Sequence, residues 1–151
     1  MTDKAILYRD LAAQLESLIE GDPDRIANAA NMAALIYHGL PDLNWAGFYF
    51  TQGGELVLGP FQGRPACVRI LWGSGVCGAA AARGATVLVP DVHEFPGHIA
   101  CDPVSQSELV VPLVEGGRVT GVLDLDSPKL ARFDAEDQAG CEALVRIFLG
   151  Q

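Results

Sequence analysis

The stretch ELVVPLVE (residues 108–115), followed by Gly116-Gly117 and RVTGVLDLDSP (residues 118–128), decides the fold. Two runs rich in Val and Leu flank a Gly-Gly turn, the pattern of an antiparallel hairpin. In the second strand, Leu123 and Leu125 alternate with Asp124 and Asp126, so the leucines share a buried face and both acids project to the other. Upstream, NWAGFYFTQGGELVLGPF (residues 44–61) predicts another hairpin, turning at Gln52-Gly53-Gly54. Residues 67–71 (CVRIL) and 86–89 predict two further short strands, with an Ala-rich helix over 76–83 between them. At the start of the chain, Ile6, Leu7, Leu11, Leu15, Leu18 and Ile19 recur at helical spacing over 4–20, and a second helix runs from about 24 to 38. A last amphipathic helix spans 133–149, with Asp134, Glu136 and Asp137 near its positive end. Strands that pair through hairpins, with helices grouped at both ends, indicate one α+β domain over residues 1–151 around a central antiparallel sheet. The terminal helices are expected on one face and the middle loops on the other, where they enclose a pocket.

The chain has 151 residues, 50% of them hydrophobic and 19% charged, which excludes intrinsic disorder. Its formal net charge of −9 argues against nucleic acid and against anionic membrane surfaces as partners, since both need clustered Lys and Arg. No run of apolar residues is long enough to span a bilayer. The N-terminal MTDKAILYRDLAAQLE lacks the basic and uninterrupted apolar regions of a secretory signal, so the expected compartment is the cytoplasm. There, four cysteines point to chemistry rather than to a disulfide framework.

Those cysteines lie at 67, 77, 101 and 141, without a C-x-x-C pair, so no metal site is expected. Cys141 falls inside the last helix and reads as a small buried hydrophobe. Cys67, Cys77 and Cys101 each sit at or beside a turn or loop. Cys101 is the sharpest case, because it lies in PDVHEFPGHIACDPVSQS (residues 90–107), a polar, Pro-rich loop holding His93 and His98. A nucleophilic thiol needs positive or donor-rich surroundings, which the histidines could supply and Asp102 opposes. Glu108 heads the strand that pairs with the one carrying Asp124 and Asp126, so three acids can converge at one sheet edge. Like charges so placed require a cationic ligand, a metal, or an acid held protonated; the alternative is a solvated strand end. Trp45 and Tyr49 share a strand face with Gly47 between them, which leaves room for a ligand or another backbone, or forms an aromatic core contact.

The strings NWAGFYF, LVLGPFQG, ACVRI, GVCG, DVHEFPGHIACD, SELVVPL and GVLDLDSP resemble the free methionine-(R)-sulfoxide reductases, single GAF-domain enzymes, over residues 4–149. The resemblance implies an antiparallel sheet with helices on one side and a ligand pocket on the other. It implies thiol-dependent reduction of free L-methionine (R)-sulfoxide, with Cys101 as the catalytic cysteine and Cys67 as the principal resolving one. Cys77 matches a third family cysteine, whose part in the disulfide relay stays open. Trp45 matches the residue that packs on the substrate methyl group, with Tyr49 beside it. Glu108, Asp124 and Asp126 match the acids that bind substrate and assist the chemistry, with Asp126 assigned the proton and Glu108 or Asp124 as its coupled partner. Thioredoxin is the implied reductant, no metal or organic cofactor is implied, and many family members are dimers. One departure is Leu71-Trp72, which replaces a more usual proline-containing stretch and is expected to alter a pocket wall. The competing class is a non-catalytic GAF sensor that binds a small metabolite.

Overall fold

A computed structural model describes residues 1–99 and 101–151 of the chain. Helices α1 (Asp3–Gly21) and α2 (Arg25–Gly39) come first, followed by strands β1 (Trp45–Gln52), β2 (Glu55–Gly63) and β3 (Arg69–Leu71). Helix α3 (Gly75–Arg83), strand β4 (Val87–Val89) and a 3-10 turn (Val92–Glu94) lead into β5 (Ser107–Glu115), β6 (Arg118–Ser127) and helix α4 (Ala135–Phe148). The six strands form one antiparallel sheet in the order β3-β2-β1-β6-β5-β4. No helix among the described residues is long and apolar enough to cross a membrane.

Local chemistry sets the element ends. Thr2 and Asp24 cap α1 and α2 by accepting from the backbone N–H groups of Ala5 and Ala27. The last helix starts two residues later than the periodicity predicts, because Asp134 is its cap. Asp134 accepts from the Glu136 and Asp137 amides, while the Asp137 carboxylate accepts from the Asp134 amide, closing a capping box. The hairpin between β5 and β6 turns at Gly116 (φ 57°) and Gly117 (φ 77°), a pair of left-handed residues that a primed turn demands. The strand expected over 67–71 narrows to its last three residues, since Cys67 leaves the ladder to meet other partners. Pro112 is tolerated inside β5 because β4 pairs only with Glu108, Leu109 and Val110, so no neighbour needs the missing N–H.

Alternation along the central strands sorts side chains into two cores. Phe48, Leu109, Val111, Leu113, Leu123 and Leu125 face α1, α2 and α4, with Leu11, Leu15, Ile36 and Leu144 packed against them. Each such aliphatic side chain contributes roughly 1.5–3 kcal/mol on burial. The opposite face carries Trp45, Tyr49, Val110 and Val122, and α3 packs there through Val76, Cys77, Ala80 and Ala81. The second face is therefore covered by a short helix as well as by loops, and the space they leave over the ends of β1, β5 and β6 is the functional cavity.

Candidate active site

Sheet register assembles the acids. Glu108 on β5 stands opposite Asp126 on β6, and Asp124 pairs with Val110 two residues further along. All three side chains leave the sheet on the α3 side and line one cavity. Glu108 and Asp124 are buried, whereas Asp126 keeps some exposure. Burial, reinforced by neighbouring carboxylates, holds all three well above the ordinary carboxyl range. Among the described residues, none of the three forms an ion pair with Lys or Arg. The nearest basic group is His98, whose Nε2 lies 3.6 Å from Glu108 Oε1. Burial pushes the His98 imidazole below its usual pKa, which favours the neutral ring.

The same cavity carries the thiol chemistry. Cys67 and Cys101 are joined by a disulfide with 5.8 Å between their Cα atoms. Cys101 lines the cavity, and the Cys67 carbonyl accepts from the Tyr49 hydroxyl at 2.9 Å. The loop bearing Cys101 is fixed from below. Asn44, just before β1, donates to Asp102 Oδ2 (3.2 Å) and Ser105 Oγ (3.0 Å). Asp102 Oδ1 in turn accepts from the Val104 amide, so this acid is spent on the loop rather than on the thiol. Cys77 is a free, buried thiol at the start of α3, and burial and the Asp124 carboxylate push its pKa up. Cys141 is also free and buried, on the helical side of the sheet. Its pKa is pushed up to about 12 by burial.

The aromatic wall has a rigid geometry. Trp45 stacks between Phe61, with centroids 5.2 Å apart, and Tyr49, at 6.0 Å, and its indole N–H donates to the Arg64 carbonyl. The two alternatives for this pair are both realised, as the rings belong to the second core and also line the cavity. Gly47 leaves room for protein rather than ligand: a Cβ there would strike Phe61 and the Trp45 ring. The expected effect of Leu71-Trp72 on the pocket also needs correction. Both residues are exposed and neither lines the cavity. The histidines separate too. His93 is exposed and bonded to Asp91, leaving only His98 at the site.

The cavity holds about 550 Å³ of atom-free space counted out to its mouth. It suits one small molecule. Sequence reasoning missed Asn44 and Ser105, whose side chains meet only in the folded chain, and the α3 start, where Ser74 supplies no side-chain cap and Ser74, Gly75 and Val76 border the cavity. Cys77, Glu108 and Asp124 also come together, each offering a ligand atom within 4.8 Å of the others.

Comparison with known proteins agrees with this geometry. Residues 22–147 match the GAF domain family. The chain is 50% identical to the free methionine-R-sulfoxide reductase of Escherichia coli, over 95% of this chain and 87% of that one. A structure of free methionine-R-sulfoxide reductase from Neisseria meningitidis in complex with its substrate superposes with a TM-score of 0.94 at 48% identity, covering 98% of this chain and 89% of that one. A chain from Burkholderia vietnamiensis described as a GAF sensor protein gives a TM-score of 0.94 at 63% identity, covering 97% and 94%.

Proposed function

The chain belongs to the GAF-domain family of free methionine-R-sulfoxide reductases, and from that premise we propose that it reduces free L-methionine (R)-sulfoxide with Cys101 as nucleophile. The observation that carries this reading is the Cys67–Cys101 disulfide on a cavity that also holds Trp45, Glu108, Asp124 and Asp126. It is the oxidised product such a cycle would leave behind.

The Cys101 thiolate attacks the electrophilic sulfur of the sulfoxide. The oxygen is a poor leaving group and must gain a proton as the bond forms. Burial and mutual repulsion make the three acids hold a proton more tightly than free carboxyls do, and Asp126, coupled to Glu108 and Asp124, supplies it. Oxygen passes to Cys101, which becomes a sulfenic acid, and methionine leaves with its sulfur reduced. The Cys67 thiol then displaces that oxygen as water and forms the disulfide. An external dithiol of the thioredoxin type exchanges with the disulfide and restores both thiols, becoming a disulfide itself. No metal or organic cofactor enters the cycle. Such a reductant suits a reducing compartment such as the cytoplasm.

Selectivity follows from the walls. The acids attract the ammonium of a free amino acid, and the amides at the start of α3 suit its carboxylate. Trp45 packs on the methyl group and so reads the configuration at sulfur. A methionine sulfoxide inside a peptide has neither charge, and the buried groups left without partners would exclude it.

The test is turnover with a dithiol on four substrates: each epimer of the free amino acid and each epimer of its N-acetyl amide. Methionine from the free (R) epimer alone is expected. Turnover of no epimer would overturn the enzyme reading in favour of a sensor, and equal turnover of the blocked substrates would overturn the role of the two charged ends.

A further inference from the structure

Cys77 has no step in the reaction above, yet it stands inside the cavity as the first-turn thiol of α3. Its Sγ, a Glu108 oxygen and an Asp124 oxygen all lie within 4.8 Å of one another. Asp124 is 6% exposed, and its Oδ1 is buried with no hydrogen-bond partner. A buried carboxylate oxygen left in that condition needs a proton donor or a cation. A fourth donor stands beside the group, since His98 Nε2 is 3.6 Å from Glu108 Oε1 and His98 also borders the cavity.

We propose that these four residues, Cys77, His98, Glu108 and Asp124, bind one thiophilic divalent cation of the zinc class inside the cavity, so that cation and amino acid exclude each other. Zinc holds sulfur at about 2.3 Å and nitrogen or oxygen at about 2.0–2.1 Å, so donors on one ion stand roughly 3–4 Å apart. Cys77, Glu108 and Asp124 already stand within 4.8 Å of one another, and His98, 3.6 Å from Glu108, completes the set by turning its ring toward them. One thiol, one imidazole and two carboxylates satisfy a tetrahedral soft ion, whereas Mg²⁺ and Ca²⁺ would require six or more oxygens. On binding, Cys77 and the protonated carboxyl of the Glu108–Asp124 pair release their protons to solvent, and no electrons move. Sequence spacing brings Glu108 and Asp124 together, but Cys77 on α3 and His98 in the loop before β5 join them only through the fold. The proposal goes beyond the reductase reading: the metal site stands on the cavity's geometry, and its exclusion by the amino acid rests on that reading.

The test uses the oxidised protein, in which the disulfide removes Cys67 and Cys101 as ligands, and Co²⁺ as the probe. One equivalent should bind with a near-ultraviolet thiolate-to-cobalt charge-transfer band and the visible bands of a tetrahedral ion. Cys77→Ser should abolish the charge-transfer band. Cys141→Ala, which removes the other free thiol, should keep it. Asp124→Asn, which retains the thiol, should weaken binding about 10-fold or more. Wild-type protein without the band at saturating Co²⁺ would overturn the proposal, as would a band that survives Cys77→Ser. Excess methionine should displace the ion. A Cys77-dependent band that methionine leaves untouched would uphold the metal site and overturn the mutual exclusion of cation and amino acid.

Discussion

A lone buried carboxylate with its partners and a cluster of three carboxylates sit on opposite faces of one sheet, and they solve the cost of buried charge in opposite ways. On the helical face, Asp137 is fully buried and saturated with partners. It accepts from the Tyr8 hydroxyl at 2.8 Å and pairs with Lys4 at 2.9 Å and Arg132 at 3.2 Å. On the other face, Glu108, Asp124 and Asp126 confront one another, with His98 as the nearest basic group. The first cluster is complete within the chain and fastens α4 to α1. The second is left wanting a proton or a cation, the condition of a site built to receive something.

The contrast can be broken at either end. The largest effect is expected at the cavity: Asp126→Asn should slow methionine formation by about 10²–10⁴-fold, measured as kcat in the presence of saturating dithiol. An unchanged kcat would remove Asp126 as the proton donor. Next comes the paired cluster. Asp137→Ala leaves the buried Arg132 without its carboxylate, takes one of the two acidic partners of Lys4 and opens the capping box of α4, so a loss of about 3–5 kcal/mol is expected in denaturant unfolding. A loss below about 1 kcal/mol would mean that the buried pairing contributes little.

A smaller effect has the opposite sign. Glu108 holds its proton more tightly folded than unfolded, because burial and Asp126 raise its pKa. The folded state therefore binds more protons than the unfolded state, and stability falls as pH rises above the unfolded carboxyl value of about 4.3. Glu108→Gln should remove that loss, raising stability on the order of 1 kcal/mol at pH 8 and leaving it unchanged near pH 4, while activity drops. Melting curves at the two pH values check this, and equal shifts at both would contradict it. The smallest effect belongs to a pair in water. Arg69 and Glu55 meet at 3.0 Å with both side chains partly exposed, and Glu55→Gln should change stability by less than about 1 kcal/mol.

Much of this arrangement is legible in the residues. The alternation of Leu123, Asp124, Leu125 and Asp126 assigns both faces of β6, and the Gly116-Gly117 turn brings Glu108 opposite Asp126, because strand periodicity and turn geometry are local properties. The joining of Cys67 to Cys101, 34 residues apart, follows from family resemblance and not from spacing, since nothing local in the chain encodes that distance. Long-range packing hides the rest. Gly47 reads as space for a ligand or another backbone, and only packing decides between them, in favour of the Phe61 backbone and the Trp45 ring. Leu71 and Trp72 read as a pocket wall, but the short β3 turns them outward. Asn44 carries no motif, yet it anchors the Cys101 loop through Asp102 and Ser105.

The most direct test is a single turnover without external dithiol. Fully reduced protein is mixed with excess free methionine (R)-sulfoxide, and methionine and the cysteine pairing are quantified together. One methionine per chain is expected, formed in step with the Cys67–Cys101 disulfide, with Cys77 and Cys141 still free. Methionine produced while Cys101 remains a thiol, or a Cys101→Ser protein that yields the same single equivalent, would contradict the account.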